Sequence, residues 1–163
     1  MYSPAILRLE PDVACYRSPV PGSVAPLPLQ PIGVARSPFA QRVEAPRQAN
    51  ALRETEGTLE LFAGRGFEFA VEDLPQWSHL WVLYWFHLNE HWRPKVQPPR
   101  SETKRGLFAT RAPYRPNPIG LTAVKLLRID GLRLTVLGAD WVDGSPILDL
   151  KPYVPYADCI PEA

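Results

Sequence analysis

A run of twelve residues, Arg111–Thr122, constrains this chain more than any other segment, because three of its positions are proline. Proline lacks a backbone donor and fixes φ at about −65°, and each residue before a proline is pushed towards extended geometry. The run therefore predicts a stiff loop, in which Gly120 permits a tight bend or a close backbone approach. Such a loop suits a site that grips a polar ligand, and a crossing loop with solvated arginines fits equally. Its candidate ligand-binding side chains are Arg111, Arg115 and Asn117.

Composition indicates one globular domain. At 163 residues, of which 45% are hydrophobic and 21% charged, the chain is long enough to bury a core. No apolar run approaches the roughly 20 residues that span a bilayer, and the amino terminus has no secretory signal, so we expect no membrane partner. Cys15 and Cys159 have neither metal-ligand spacing nor a disulfide framework, which is typical of a cytoplasmic protein.

Positive charge is concentrated in the middle of the chain, around the proline-rich run. Residues 93–128 hold nine lysines and arginines against one acid, which gives this segment a net charge of +8. The net charge is −3 for residues 1–92 and −4 for residues 129–163. A local excess of this kind favours a phosphate-bearing partner such as RNA. A basic surface without a partner would give the same counts.

Prolines and apolar patterns divide the chain into three parts. Seven prolines in the first 31 residues predict a proline-rich amino-terminal arm at residues 1–30. The folded domain is expected at residues 31–163. Within it, the core runs from about Ile32 to Leu150, and a proline-containing tail at residues 151–163 is expected to pack along the surface.

The core is patterned as short strands. Leu80–Phe86 is seven consecutive apolar residues, the length of a strand buried on both faces. Asp130-Gly131 is a strong two-residue hairpin signal, and Gly64 with Gly66 predicts a second hairpin or bulged pair. The predicted strands are Ile32–Arg36, Thr58–Phe62, Phe67–Val71, Leu80–Phe86, Leu121–Ile129 and Leu132–Leu137.

Helical signals are few and short, at Ala49–Glu56 and Glu72–Ser78. Many short strands with turn signals predict a mainly β fold, a small closed or nearly closed β-barrel with few short helices. The chain has no Gly-x-Gly-x-x-Gly loop and no Walker-type phosphate loop, so the sequence gives no support for a Rossmann or nucleotidase site.

Two short motifs point to other chemistries and carry little weight. His87-Leu-Asn-Glu-His91 matches the H-x-x-E-H pattern of inverted zinc proteases, which needs a helix to place both histidines on one face. Here the motif follows an aromatic strand and is soon followed by Pro94, so no metal site is predicted. Asn117-Pro118 is similar to part of the Asn-Pro-Pro-aromatic motif of Rossmann-type adenine methyltransferases, but the partner glycine loop is missing.

Seven segments distributed over residues 31–163 occur in a characteristic order. They are Ile32–Phe39, Ala45–Gln48, Ser78–His87, Trp92–Pro94, Gly106–Arg111, Arg115–Gly120 and Asp143–Tyr153. This ordered set strongly resembles the TsaA-like family, the tRNA (adenine-N6)-methyltransferases also called TrmO. Bacterial members often carry a second small carboxy-terminal domain that this sequence does not include, and the proline-rich arm is an addition to the family core.

The resemblance implies a non-Rossmann methyltransferase: a β-barrel that binds S-adenosylmethionine as a homodimer, with the cofactor site near the dimer interface. The implied reaction methylates N6 of threonylcarbamoyl-adenosine, the base just 3′ of the tRNA anticodon, so the implied partner is a tRNA anticodon loop. By motif match, the implied cofactor contacts are Pro46, Arg47, Gln48, His87, Leu88, Arg111, Leu121, Asp143, Gly144, Ser145 and Pro146.

Within that resemblance, residue chemistry suggests roles for single side chains. A sulfonium methyl donor is already electrophilic, so the enzyme chiefly has to align the reacting atoms. Arg47 or Arg111 would hold the cofactor carboxylate in a bidentate grip, and Asp143 would accept hydrogen bonds from ribose hydroxyls or the amino group. The candidate catalytic residues are Asn117, which would orient the substrate edge, and Arg115, which would pair with the threonyl carboxylate or a phosphate.

The target nitrogen is urea-like and a poor neutral nucleophile, so we expect a base to assist its deprotonation, with Asp149 and His87 as candidates.

Three aromatic residues lie in or near the basic segment, and they would either stack on RNA bases or pack inside the protein: Trp92, Phe108 and Tyr114. The other tryptophans are assigned to packing or a dimer face: Trp77, Trp81, Trp85 and Trp141. Two alternatives stay open, a non-catalytic module that binds S-adenosylmethionine or RNA, and a zinc hydrolase using His87 and His91.

Overall fold

A computed structural model describes residues 28–46, 55–99 and 101–162 of the chain. Its strands are β1 Gly33–Arg36, β2 Glu56–Leu61, β3 His79–Trp85, β4 Lys95–Val96, β5 Arg105–Gly106, β6 Ile119–Asp130, β7 Arg133–Leu137 and β8 Ser145–Pro152. Its helices are α1 Phe67–Ala70, α2 Pro155–Asp158 and two 3₁₀ turns, Leu74–Gln76 and Leu107–Ala109. The fold is mainly β, as predicted.

Six of the strands form a closed antiparallel barrel in the order β1, β2, β7, β6, β3, β8. Pairing of β8 with β1, in which Ala35 lies opposite Ser145, completes the circle. Closure removes every exposed edge from this sheet. The strands β4 and β5 pair only with each other, within the long connection from β3 to β6.

Alternating strand residues fill the barrel interior. Along β6, Gly120, Thr122 and Val124 are buried, whereas Leu121 and Lys125 face outward. This period of two is what a strand with one buried face produces. The interior cluster is built from Ala35, Leu59, Val71, Leu80, Val82, Tyr84, Val124, Leu134, Val136, Ala139, Trp141 and Ile147.

Antiparallel pairing brings several connections to one end of the barrel. The segments after β1, β3 and β7 meet there with those before β6 and β8, and we call residues 37–46, 86–94, 110–118 and 138–144 the rim. Backbone hydrogen bonds tie these segments together, from Phe86 N to Pro118 O (2.8 Å) and from Asp143 N to Phe39 O (2.8 Å). All described candidate site residues except those that lie on β6 and β8 belong to the rim.

Most of the strand predictions are confirmed. The apolar run that begins at Leu80 is β3, and the hairpin predicted at Asp130-Gly131 joins β6 to β7. Its two turn residues are Gly131, at φ 58°, and Leu132, one residue later than predicted. The predicted strands at Ile32–Arg36 and Thr58–Phe62 correspond to β1 and β2. The strand β8, which carries several candidate site residues, was not predicted.

The predicted strand at Phe67–Val71 is wrong, because Phe67–Ala70 is the short helix α1. Both edges of β2 are already used, one by β1 and the other by β7. A hairpin partner therefore has no edge to pair with. The chain instead turns through Gly64 and Gly66, both at φ 76°, and Val71 reaches the core from the end of the helical turn.

The remaining local predictions have mixed outcomes. The segment Glu72–Ser78 contains the predicted single turn, a 3₁₀ turn at Leu74–Gln76. The predicted helix at Ala49–Glu56 falls mostly outside the described residues, and its last residue begins β2. The predicted tail starts too early, because Lys151 and Pro152 belong to β8. The arm at residues 1–30 lies almost entirely outside the described residues, and the division into arm and barrel domain stays a prediction.

Gly120 packs directly against the ring of the buried Tyr84, and a Cβ there would overlap the ring atoms. We expect Gly120→Ala to lower the free energy of unfolding by about 1–3 kcal/mol, the usual cost of overpacking a core. Gly106→Ala is the matched control, since nothing lies within 4 Å of the place that a Cβ would take there, and it should stay within about 0.5 kcal/mol of wild type. Urea unfolding measures both; equal stabilities would contradict this packing.

Candidate functional site

The proline-rich loop is anchored to the segment that follows β3. The side-chain amide of Asn89 donates to the Pro113 carbonyl, and Arg93 N donates to Tyr114 O at 3.0 Å. Residues 111–118 contain no helix, as their prolines require. The predicted loop therefore exists and has a fixed shape at the rim.

Arg115 is turned back onto its own loop. Its Nη1 donates to Thr110 O at 2.9 Å and to Ala112 O at 3.4 Å, and its guanidinium lies 5.8 Å from the ring centre of Phe108. The side chain thus helps to hold the loop's shape. Its predicted pairing with substrate stays a prediction.

Arg111 and Asn117 are exposed on the same loop. Neither side chain makes a hydrogen bond or ion pair to another residue that the structure describes; only the Asn117 carbonyl is engaged, by Ile119 N at 2.7 Å. Both side chains are therefore available to a ligand at the rim.

The residues just before β8 meet the residues just after β3. The Ser145 side chain lies between two groups, with its Oγ 2.8 Å from Val142 O and 3.2 Å from His87 Nδ1. His87 itself is anchored by its backbone N, which donates to Trp85 O at 2.8 Å. The structure therefore brings together two predicted cofactor contacts that are 58 residues apart in sequence.

Asp143 is held at the rim by the end of β1. Its Oδ1 accepts from Ser37 N at 3.2 Å, and its Oδ2 lies 3.5 Å from Arg36 Nη1. The neighbouring Gly144 has φ 81° and nothing within 4 Å of the position of a Cβ. A carboxylate with fixed orientation thus stands beside backbone that a ligand can approach closely.

Two electrostatic effects act on the His87 ring in opposite directions. Partial burial disfavours the imidazolium and lowers the pKa of His87 below its usual value of 6.5, and this is the larger effect. The Trp85 carbonyl and the negative charge of Asp143 raise the pKa but do not offset burial. The net effect favours the neutral form of the ring.

A shallow depression of about 200 Å³ lies next to Leu88 on the rim. The guanidinium groups of Arg42 and Arg93 lie 5.1 and 4.8 Å from the ring centre of Tyr114, and Arg42 also donates to Leu88 O at 3.3 Å. Leu88 is 44% exposed. The depression therefore combines an apolar contact with two cations, and its lining is completed by Glu90 and His91.

Other predicted residues lie outside this cluster. Leu121 is 58% exposed on the outer face of β6, opposite Leu83 of β3, and Pro146 lies opposite Val34 on β1. Pro46 is half-buried at the end of the described segment. Arg47 and Gln48 lie outside the described residues, so their predicted contacts stay predictions.

Asp149, one of the two candidate bases, is on β8 and belongs to an ion pair. Its Oδ2 lies 2.7 Å from Lys151 Nζ, and its Oδ1 accepts from the Leu150 backbone. Because the carboxylate is 43% exposed, it is a paired surface acid and not a buried one. Its position on β8 also separates it from the rim.

Sequence reasoning missed a polar group inside the mouth of the barrel. Asp140 Oδ1 accepts from Thr122 Oγ1 at 2.6 Å and from Tyr84 OH at 3.2 Å. Burial and the charge of Asp140 raise the pKa of Tyr84, so the phenol stays protonated and donates. A threonine within an apolar strand was the available signal for this network, which fixes the segment leading to Asp143.

The aromatic residues divide between packing and exposure. Trp85 and Trp141 are buried, as predicted, and Trp141 Nε1 donates to Arg36 O at 3.1 Å. Trp81 packs against Tyr153 with ring centres 5.3 Å apart. Phe108, by contrast, is 79% exposed and presents an open ring beside the proline-rich loop.

The geometry required by the zinc-protease motif is absent. His87 lies in a turn and His91 in irregular chain, so a helix does not align them. Among the residues that the structure describes, no group of three or more histidine, cysteine or acidic side chains could hold a metal ion.

In the same residues, no helix has the length and apolar character needed to cross a membrane.

Comparisons with known proteins agree with the barrel fold. The chain is 41% identical over 140 residues to the tRNA (adenine(37)-N6)-methyltransferase of Escherichia coli K12, covering 81% of this chain and 60% of that protein. It is 46% identical over 125 residues to a probable S-adenosyl-L-methionine-binding protein of Methanothermobacter thermautotrophicus, covering 77% of this chain and 88% of that protein. The crystal structure of TrmO from Pseudomonas aeruginosa superposes with a TM-score of 0.73 at 40% identity, covering 86% of this chain and 62% of that one.

These likenesses confirm the resemblance drawn from the seven ordered segments. The chain spans about 60% of the length of the Escherichia coli relative, so the match concerns one part of that protein. Residues 34–159 match the family described as the tRNA-methyltransferase O N-terminal domain. Since that match covers most of the chain, the protein belongs to the tRNA-methyltransferase O N-terminal domain family.

Proposed function

We propose that this chain is an S-adenosylmethionine-dependent methyltransferase that acts on N6 of the adenine 3′ to the tRNA anticodon, in the form of threonylcarbamoyl-adenosine. The name of the Escherichia coli relative supports the reaction class, and that of the Methanothermobacter thermautotrophicus relative supports the cofactor. The observation that carries the proposal is the rim cluster of His87, Ser145 and Asp143 beside Gly144, where nothing lies within 4 Å of the position of a Cβ. The proposed enzyme acts in the cytoplasm, where tRNA is modified.

The donor set of the rim fits the cofactor's chemistry. Asp143 supplies a fixed carboxylate for ribose hydroxyls or an amino group, and Arg111 supplies an unengaged guanidinium for a carboxylate. Leu88 offers an exposed apolar surface for an adenine ring. When bound, S-adenosylmethionine supplies an electrophilic methyl group, so the residues need only bind, orient and manage the proton.

The described rim is too open to enclose such a ligand by itself. Its depression of about 200 Å³ is smaller than the roughly 300–1,000 Å³ typical of ligand sites. Further groups must therefore complete the site, and Arg47 and Gln48 are candidates from the same chain. We also propose a homodimer in which a second copy covers the outward-facing Leu121 and Leu83 and closes the site.

The cationic side of this depression, away from Leu88, is the proposed contact for the RNA backbone. Arg42 and Arg93 both lie over the Tyr114 ring, and Arg42 uses one donor on Leu88 O. Their remaining donors are the proposed partners of phosphate oxygens. The exposed ring of Phe108 is the better placed of the aromatics for stacking on a base. Together these groups would hold an anticodon loop over the rim.

One observation favours a second candidate function, a non-catalytic module that binds S-adenosylmethionine. The chain covers 88% of a relative that is named only as a probable binding protein, but about 60% of the named methyltransferase. Both candidates require cofactor binding, and only the first requires methyl transfer. An assay of transfer to threonylcarbamoylated tRNA, with unmodified tRNA as the control, separates them; transfer that requires the modification supports the methyltransferase.

Asp143→Asn tests cofactor binding at the rim. Replacing the carboxylate removes a charge-assisted hydrogen bond, so we expect the Kd for S-adenosylmethionine to rise by about 10-fold or more. Isothermal titration calorimetry measures it, with thermal unfolding to show that the variant is folded. Asp130→Asn, in the hairpin at the opposite end of the barrel, is the matched control and should bind as wild type. Equal affinity for Asp143→Asn would place the cofactor elsewhere.

Arg42→Ala and Arg93→Ala test the RNA contact. We expect each variant to bind tRNA more weakly, with a shallower dependence of log Kd on log salt, because one phosphate contact is lost. Cofactor affinity should be retained. Arg65→Ala removes a similar arginine–aromatic contact, that with Phe62, at the opposite end of the barrel, and should leave RNA binding intact. An unchanged salt slope in both rim variants would exclude this surface as the phosphate contact.

A further inference from the structure

The Ser145 hydroxyl contacts one nitrogen of the His87 ring. Ser145 is 2% exposed, and its Oγ lies within hydrogen-bond distance of Val142 O (2.8 Å) and His87 Nδ1 (3.2 Å). A carbonyl only accepts, and its contact is the shorter of the two, which favours Val142 O as the acceptor of the single hydroxyl proton. In that arrangement the Ser145 oxygen accepts from His87, and Nδ1 carries the ring proton.

This tautomer leaves Nε2 of the neutral ring with an unprotonated lone pair. Nδ1 contacts the buried Ser145, whereas Nε2 lies on the side of the ring away from that hydroxyl. The ring is only partly buried, and it stands on the rim beside Asp143. A fixed, neutral imidazole thus presents an acceptor at the place where the proposed function puts the reacting groups.

We propose that His87 accepts, at Nε2, the N6 proton of the substrate adenine during methyl transfer. This inference rests on the proposed function and deepens it. The N6–H bond breaks with its proton passing to Nε2, and the nitrogen electron pair forms the new bond to the methyl carbon. The carbon–sulfur bond breaks with its pair remaining on sulfur, so the sulfonium becomes a neutral thioether. The resulting imidazolium later releases its proton to water.

The surroundings of His87 suit both protonation states in turn. Burial lowers its pKa and keeps the ring neutral before reaction, ready to accept a proton. Asp143, on the segment between β7 and β8, is the charged group that faces the ring and stabilises the imidazolium once it forms. Val142 and Trp85 contribute only backbone carbonyls.

The other acids are poorer acceptors. Asp149 is paired with Lys151 at 2.7 Å on β8. The carboxylate of Asp143 is already engaged, since it accepts from Ser37 N and lies against Arg36. His87 is therefore the neutral acceptor of the rim cluster.

Nuclear magnetic resonance of the ¹⁵N-labelled chain tests the tautomer without any reaction. The protein has three histidines, so His79→Asn, His87→Asn and His91→Asn assign the ring signals. We expect His87 to show a protonated Nδ1 and an unprotonated Nε2 at neutral pH, with a pKa below 6.5. Ser145→Ala should weaken that preference. A proton on Nε2 in the wild-type chain at neutral pH would overturn the inference.

Single-turnover methyl transfer at saturating cofactor tests the role. His87→Asn should lower the rate by about 10²–10⁴-fold, the usual contribution of a positioned base. His79→Asn, at the opposite end of β3, is the matched control and should react as wild type. The wild-type rate should fall as pH drops through the lowered pKa of His87, because the protonated ring cannot accept, and His87→Asn should lose this acid limb.

The possible outcomes separate the two proposals. A wild-type chain that transfers methyl groups, with His87→Asn equally fast at saturating cofactor, overturns the role of His87 and leaves the proposed function standing. A wild-type chain that binds S-adenosylmethionine but methylates no tRNA overturns the methyltransferase proposal, and the role of His87 with it. A slow His87→Asn that still binds cofactor and has lost the acid limb supports both.

Discussion

The rim depends on the pairing of β8 with β1. This pairing closes the barrel and sets Ala35 opposite Ser145, so that the residues before β8 run alongside those after β1. As a result Gly144 N donates to Ala35 O at 3.0 Å and Asp143 accepts from Ser37 N. The pairing of β8 with β3 on its other edge brings His87 to Ser145. The same strand contacts that bury the core therefore arrange the polar cluster.

Rigidity at the rim has a common physical origin, because each functional segment is tied to backbone groups of its neighbours. Pro113 and Tyr114 are bonded to the segment after β3, and Asp140 is bonded by the two buried hydroxyls of Thr122 and Tyr84. Positioned groups of this kind suit methyl transfer, which demands alignment more than bond activation by the protein. The open side of the rim remains for whatever completes the site.

Sequence alone predicted the features that depend on neighbouring residues. The Asp130-Gly131 hairpin and the apolar strand β3 follow from local signals, and so does the stiff loop before β6. The segment Phe67–Val71 was misjudged because local pattern cannot reveal that both edges of β2 are occupied. Ser145 was predicted only through the family motif; its contact with His87 joins residues 58 apart, which only the closed barrel brings together.

The proposed function requires S-adenosylmethionine to bind at the rim of this barrel. The most direct test is a ¹H–¹⁵N correlation map of the labelled chain, recorded as the cofactor is titrated in. We expect the largest shift changes on His87, Leu88 and Gly144, while the Gly131-Leu132 turn at the opposite end stays unchanged. Changes centred on that turn, or none at saturating cofactor, would contradict it.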